Sequence, residues 1–149
     1  MRTKIDKVDI KIIKLLSQNA RMTYKELAER LGTTRQRISR RMDKLERNGV
    51  VIKYTVIPNF EKLGYLHAIL GITLKAGVDL DEIVEKLKGI EEIKVIEKAI
   101  GAHNIVVHVV TQSDMKKMQG IINAISKEIP GIEHMDITFI TEVCKLEVF

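Results

Sequence analysis

The chain has 149 residues, of which 45% are hydrophobic and 30% are charged, and its formal net charge is +5 at pH 7. This composition is that of a soluble globular protein with one domain of ordinary size or two small ones. It excludes a disordered chain, and the apolar runs are far too short for a transmembrane helix of about 20 residues.

The charge is divided unevenly along the chain. Residues 1–62 contain 16 Lys and Arg against 7 Asp and Glu, a balance of +9, whereas residues 63–149 contain 9 against 13, a balance of −4. A basic half next to a mildly acidic half suggests that one part of the protein meets a polyanion. The chain opens on a charged, periodic stretch rather than a secretory signal segment, and its one cysteine, Cys144, cannot form an internal disulfide. We therefore expect a cytoplasmic protein, with Cys144 as a buried thiol in a strand.

The first half reads as three helices followed by a short ribbon. Asp6 is placed to cap a first helix with apolar residues at helical spacing. Thr23 and Glu26 form a capping box for a second helix, which Gly32 ends. Thr34 caps a third helix that ends near residues 48–49. The β-forming residues 50–56 then predict a small wing.

The second half predicts a different architecture. A linker at residues 58–65 is punctuated by Pro58 and Gly64, and the sign of the charge balance changes there. Residues 66–149 then show the order β-α-β-β-α-β, which predicts an antiparallel sheet with both helices on one face. The second helix of this half is capped by Ser113 or Asp114, and the last strand is expected to be long. The predicted fold class is α+β, with domains at residues 1–57 and 66–149.

Helical periodicity divides the arginines of the third helix between two environments. With Ile38 at the centre of the buried side, Met42 and Leu45 fall within roughly 40° of it, at 100° per residue. Gln36 and Arg40 point nearly the opposite way. The spacing therefore predicts that Arg40 projects outward, as does Arg37 on one flank, whereas Arg41, on the border, is partly buried against an acid.

The spacing of Ala28, Gly32 and Ile38 predicts a helix-turn-helix. A small residue lets two helices approach, a glycine makes the turn, and an apolar residue fills the corner. The second helix of such a pair enters the major groove, where arginine grips guanine and glutamine grips adenine. The candidate DNA-binding residues are Tyr24, Lys25, Thr34, Arg35, Gln36, Arg37, Ser39, Arg40, Lys44 and Lys53. Tyr24, Lys25, Lys44 and Lys53 are the expected phosphate contacts. The alternative for this surface is an ordinary solvated charged face.

These segments resemble the Lrp/AsnC (feast/famine) transcription regulators over essentially the whole chain. The residues that carry the resemblance lie in "DKVDIKIIKLL", "ARMTYKELAERLGTT", "RRMDKLERNGVVIKYT", "LGY", "IGAHN" and "PGIEHMDITFITEVCK". The resemblance implies a winged helix-turn-helix joined to an αβ sandwich that forms dimers and often octamers. It also implies regulation of genes related to amino acids, frequently with an amino acid as effector.

The loop of the family that precedes the third strand often reads Gly-Asp-x-Asp, whereas here it consists of Gly101, Ala102, His103 and Asn104. Both carboxylates are missing, although the ammonium group of a bound amino acid would require a negatively charged partner. The resemblance therefore carries over Gly101 and the position of the loop as a candidate effector site, and an ordinary exposed turn is the alternative.

The leading hypothesis is a dimeric or larger regulator that binds paired DNA half-sites roughly 34 Å apart or a multiple of that. The first alternative is an architectural protein that coats DNA with low sequence specificity. An enzyme or its allosteric subunit is the second, but no nucleophile–base pair or phosphate-binding glycine loop supports catalysis. We expect no cofactor and no metal, because the four histidines lack the spacing of zinc ligands. Membrane binding is not expected either.

Overall fold

The computed structural model describes residues 4–147 and residue 149. The chain divides into two compact units. The first, called the helical unit below, contains the residues up to Ile57 and the C-terminal residues from Lys145. The second, called the sheet unit, spans Pro58–Cys144.

The helical unit contains α1 (Lys7–Gln18), α2 (Tyr24–Leu31) and α3 (Arg35–Arg47). All three predicted N-caps are confirmed, because the side chains of Asp6, Thr23 and Thr34 accept hydrogen bonds from backbone N–H groups of the first helical turn. At α1 and α2 the acid three residues after the cap completes a capping box. The core of this unit is formed by six buried apolar residues: Ile12, Leu27, Ala28, Ile38, Met42 and Leu45.

The predicted wing strands are not formed. Residues 50–59 carry no strand in the structure, and the N–H groups of Val50 and Val51 bond to the carbonyl of Leu45 at 2.9 and 3.2 Å. The segment "VVIKYTVIP" has the β-forming residues of a ribbon but lacks the glycine or Asn-Gly turn that would fold it back on itself. It therefore forms no ribbon, and Ile52 and Val56 are exposed.

The sheet unit confirms the predicted order of elements. It comprises β1 (Tyr65–Leu74), α4 (Leu80–Leu87), β2 (Ile93–Lys98), β3 (Ile105–Gln112), α5 (Met115–Glu128) and β4 (Ile132–Ile140). The strands lie in the order β2-β3-β1-β4 and all pairs are antiparallel. Of the two caps proposed for α5, Asp114 is the one that accepts the N–H groups of Lys116 and Lys117.

Both helices cover the same face of the sheet, as predicted. Alternate residues of β1 and β3 are buried with apolar residues of α4 and α5 in one cluster; they are Ala68, Leu70, Ile72, Ile105, Val107 and Val109. The other face, called the helix-free face below, carries the intervening residues, including His67, Gly71 and Thr73 of β1 and His108 of β3. No helix among the described residues is long and apolar enough to cross a membrane.

The last strand is shorter than expected, and Cys144 is exposed rather than buried. β4 pairs only with β1, and the register runs from Leu74↔Ile132 to His67↔Ile140. Because β1 begins at Tyr65, the residues beyond Ile140 have almost no partner strand left. The apolar alternation at the C-terminus suggested a strand, but a strand needs a neighbour to accept its hydrogen bonds.

Candidate nucleic-acid interface

The turn between α2 and α3 fixes where α3 begins. Gly32 adopts the left-handed conformation (φ 61°), and the N–H of Thr33 bonds back to the carbonyl of Ala28 at 2.9 Å. The left-handed region favours glycine because a Cβ is strained there. Ala28 and Ile38 are both buried. The helix-turn-helix predicted from the spacing of these three residues is confirmed.

The inward side of α3 is set by its apolar residues. Ile38, Met42 and Leu45 are completely buried, and they lie on the side predicted from the periodicity. Since these three side chains anchor α3 to the core, the opposite side of the helix must project away from it. The orientation of the arginines therefore follows from three apolar positions.

Arg41 is partly buried against two acids, as the sequence predicted. Its Nη1 atom donates to Asp6 Oδ2 at 2.7 Å and to Asp9 Oδ1 at 2.6 Å. Asp9 is completely buried, so the guanidinium group supplies the counter-charge that a buried carboxylate requires. The hydrogen bond to Asp6, followed by that to Asp9, raises the pKa of Arg41. This arginine joins α1 to α3 and is not available to a ligand.

The remaining charged residues of the N-terminal half of α3 face solvent. Arg35, Gln36, Arg37 and Arg40 are exposed. Among the described residues, no carboxylate lies within 4.0 Å of the guanidinium groups of Arg35, Arg37 or Arg40. This face therefore offers three guanidinium groups and one amide that can bind acceptors outside the protein, the donor set that reads guanine and adenine in the major groove.

The other candidate DNA contacts differ in accessibility. Lys25 and Lys53 are exposed, and the hydroxyl of Thr34 accepts the N–H of Arg37 at 3.3 Å. Ser39 is half-buried. Tyr24 is also half-buried, and burial is the main cause that raises its pKa.

Lys44 departs from the expectation that it is a free phosphate contact. Its ammonium group donates to the carbonyl of Lys4 at 2.7 Å and lies 3.6 Å from Asp9 Oδ2. Periodicity placed Lys44 on a flank of α3 but could not show that this flank faces the start of α1. The buried Asp9 is what draws the side chain inward.

The candidate effector loop is held against β1. The side chain of Asn104 accepts the N–H of Leu74 at 2.7 Å, and Thr73 Oγ1 donates to the carbonyl of Ala102 at 2.8 Å. The ring of His103 lies over Gly71, where an added Cβ would stand 2.5 Å from the ring. The side chain of Asn104 therefore stabilises the fold, whereas the ring of His103 lies on the helix-free face.

A carboxylate that the sequence did not predict here comes to this loop from another strand. Asp136 of β4 has one carboxylate oxygen 3.4 Å from His103 Nε2 and the other 3.0 Å from His134 Nε2. Because β4 pairs with β1 and Asp136 is opposite Gly71, the residue reaches the loop through the sheet. The loop itself has neither carboxylate of the family pattern, but Asp136 places one carboxylate beside it.

Two known families match the two units. Residues 5–52 match the family described as winged helix-turn-helix DNA-binding, and residues 67–147 match the Lrp/AsnC ligand-binding domain. The chain belongs to the Lrp/AsnC family of transcriptional regulators. Its relatives include the HTH-type transcriptional regulator PF2053 of Pyrococcus furiosus, 47% identical over 97% of this chain and 98% of that protein.

Solved structures of the family share the fold. The crystal structure of PH0061, a regulator of Pyrococcus horikoshii, superposes with a TM-score of 0.92 at 42% identity and covers 100% of both chains. A regulator of Neisseria meningitidis solved in complex with L-Met has a TM-score of 0.80 at 22% identity, and the match covers 97% of this chain and 95% of that one. At that identity the second likeness concerns the fold alone.

Proposed function

We propose that this regulator binds duplex DNA by inserting the outward face of α3 into the major groove, with Gln36, Arg37 and Arg40 at base edges. The observation that carries the proposal is the contrast within α3: Arg41 is satisfied by Asp6 and Asp9, whereas Arg37 and Arg40 are exposed. The phosphate oxygens and base edges of DNA supply the missing acceptors. Thr34, Arg35, Ser39, Lys25 and Lys53 are proposed to contact the backbone.

The test is selection of preferred duplexes from a random pool, followed by footprinting. We expect a two-part recognition sequence whose protected segments lie 10–10.5 base pairs apart or a multiple of that, roughly 34 Å per turn. Uniform protection with no helical phase would contradict the proposal and favour the architectural alternative. Competition separates the two, because specific and non-specific competitor DNA should differ by ~10³-fold or more at the same salt for a sequence reader.

We also propose that the protein acts in the cytoplasm as a dimer or a larger assembly such as an octamer. The sheet supports this, because α4 and α5 cover one face and leave the other with half-buried Ile69 and Val106. Two copies related by a two-fold axis would present two α3 helices to successive grooves. Light scattering of the full chain tests this, since a monomer at micromolar concentration would contradict it.

A small amino-acid-like effector is proposed to bind at the loop of residues 101–104. Its support is the juxtaposition of His103 and Asp136, which offers an imidazole and a carboxylate to a zwitterion. The L-Met complex of the Neisseria regulator shows that a protein of this fold binds an amino acid. Thermal-shift measurements with each amino acid should find one that stabilises the protein, and Asp136→Asn should abolish that shift. An Asp136→Asn protein that keeps the full shift would place the effector elsewhere.

A further inference from the structure

The exposed side of α1 carries a row of lysines that the proposed DNA contacts do not use. Lys7, Lys11 and Lys14 are all exposed. At 100° per residue they fall within roughly 60° of one another, and with a rise of 1.5 Å per residue they extend over about 10 Å. These three residues are called the lysine row below.

The lysine row has no counter-charge of its own. In the sequence, the positions three and four residues away from each of these lysines hold no acid. The two acids at the start of α1, Asp6 and Asp9, are both bonded to Arg41. Among the described residues, no carboxylate lies within 4.0 Å of the lysine row, and Lys14 Nζ lies over the ring of Phe149, 5.6 Å from its centroid. Like charges at this spacing cost helix stability unless an external anion compensates them.

The lysine row points away from α3. Asp9 marks the side of α1 that faces α3, because it bonds Arg41 there. Lys7, Lys11 and Lys14 lie roughly 140–160° around α1 from Asp9. A duplex held against Gln36 and Arg40 is therefore separated from the lysine row by the thickness of α1. The lysine row faces away from the DNA that α3 would read.

We propose that the lysine row is a second DNA-binding surface, which contacts the phosphate backbone of a duplex segment other than the one read by α3. Phosphates follow one another every 3.4 Å along the axis of each DNA strand, so a row of about 10 Å matches about three of them. Flexible lysines suit phosphate contacts that carry no base information, whereas the arginines and glutamine of α3 suit base edges. One copy of the helical unit would thus join two segments of DNA.

The experiment is a two-duplex capture with the full chain. A biotinylated 24-base-pair duplex with the selected sequence is immobilised, the protein is added at about 50 mM salt, and retention of a second, fluorescent duplex that lacks the selected sequence is measured. The test variant is K7Q/K11Q/K14Q, in which exposed residues are replaced by another good helix former. The matched control is K116Q/K117Q/K127Q, which removes the same charge from exposed positions of α5.

We expect K7Q/K11Q/K14Q to lower capture of the second duplex by at least about tenfold and to reduce the slope of log affinity against log salt for that duplex by about 2.7, or 0.9 for each lost phosphate contact. Binding of the first duplex at its selected sequence should change by less than about twofold, since α3 is untouched. The control variant K116Q/K117Q/K127Q should retain as much of the second duplex as the wild type does. The double variant K7Q/K11Q, which leaves the contact of Lys14 with Phe149 in place, should lose about two of the three contacts.

Capture that survives K7Q/K11Q/K14Q unchanged would overturn the proposal, because α3 helices of an assembled protein would then hold both duplexes. Equal losses in the test and control variants would also overturn it, since net charge alone would explain them. If light scattering shows that the test variant dissociates while capture per assembled protein persists, the lysine row binds a second copy of the protein instead. Far-UV circular dichroism of both variants establishes that the helices are retained.

Discussion

The two units of the molecule use their acidic residues differently. In the sheet unit, several surface lysines lie next to acids, as in Lys86 with Glu82 at 2.7 Å and Lys88 with Glu85 at 2.5 Å. In the helical unit four acids serve the fold. Asp6 and Glu26 cap helices, Asp9 is buried against Arg41, and Glu46 accepts the hydroxyl of Tyr54 at 2.6 Å.

The contrast explains why the helical unit presents uncompensated positive charge at its surface. Exposed ion pairs such as those of α4 contribute little to stability, about 0–1 kcal/mol each, but they neutralise the local field. In the helical unit those four carboxylates are occupied, and among the described residues no other carboxylate, including that of Asp43 on α3, lies within 4.0 Å of Arg35, Arg37 or Arg40. The positive field of that unit is therefore directed at a partner rather than cancelled within the chain. The predictions below follow from this difference.

The largest effect is expected for Arg41→Ala. It leaves Asp9 buried with only the ammonium of Lys44, 3.6 Å away, as counter-charge. Because Arg41 itself is partly exposed, we expect a loss of about 2–3 kcal/mol in the free energy of unfolding, at or just below the lower limit of the range for breaking a fully buried pair. Urea denaturation followed by circular dichroism measures it, with Arg40→Ala as the neighbouring control that should change stability by less than about 0.5 kcal/mol. Equal effects of the two substitutions would show that Arg41 is not the internal one.

Arg40→Ala should have the reciprocal effect on DNA binding. We expect it to weaken binding to the selected duplex by about 1–3 kcal/mol, or roughly 5–150-fold, and to relax preference at one base position. Lys53→Ala should weaken selected and random duplexes alike and lower the salt slope by about 0.9. Fluorescence anisotropy with both duplexes distinguishes these patterns. A uniform loss caused by Arg40→Ala would mean that Arg40 touches phosphate rather than a base.

The sequence predicted those parts of the interface that depend on local rules. Caps at Asp6, Thr23 and Thr34 and the buried side of α3 follow from hydrogen-bonding chemistry within four residues and from helical periodicity. Apart from the missing wing strands, the departures involve partners distant in the chain. Lys44 turns to Asp9, Asp136 reaches His103 through strand pairing, and β4 ends at Ile140 because β1 supplies no further partner. Neither composition nor spacing encodes which strand lies next to which.

Removal of a single cap should have an intermediate effect. Thr23→Ala deletes the acceptor for the N–H of Glu26 and frees the carboxylate of Glu26 from the hydroxyl at 2.8 Å. We expect a loss of about 1 kcal/mol in the free energy of unfolding, as is typical for an N-cap. Thr23→Ser keeps the hydroxyl and should therefore retain most of the free energy of unfolding that Thr23→Ala loses. If Thr23→Ser were as unstable as Thr23→Ala in urea denaturation, packing of the methyl group rather than capping would be responsible.

The smallest effects concern pH and differ between the units. Burial, followed by the charge of His108, lowers the pKa of His67 below 6.5. The folded state therefore favours neutral His67, and its contribution to stability is present above pH 6.5 and lost as the pH falls through the lowered pKa. In the helical unit, hydrogen bonds from Asp9 N–H and from Arg41 lower the pKa of Asp6 to about 2. Its contribution is present above the ordinary pKa of 3.8 and lost only as the pH falls towards 2.

Hydrogen exchange of the full chain between pH 7 and 5, corrected for the intrinsic exchange rate, should thus show loss of protection in β1 and β3 but not in α1 and α3. His67→Gln should remove that dependence from the strands. Loss of protection in α1 over the same range would contradict the assignment of Asp6.

Methylation interference tests the orientation of α3 most directly. Dimethyl sulfate modifies N7 of guanine in the major groove and N3 of adenine in the minor groove, so one reaction on the selected duplex reports both grooves. The account predicts that modified guanines in each half-site block binding of the wild type and that one of them ceases to matter for Arg40→Ala. Interference confined to adenine N3, or an identical pattern for the wild type and Arg40→Ala, would contradict it.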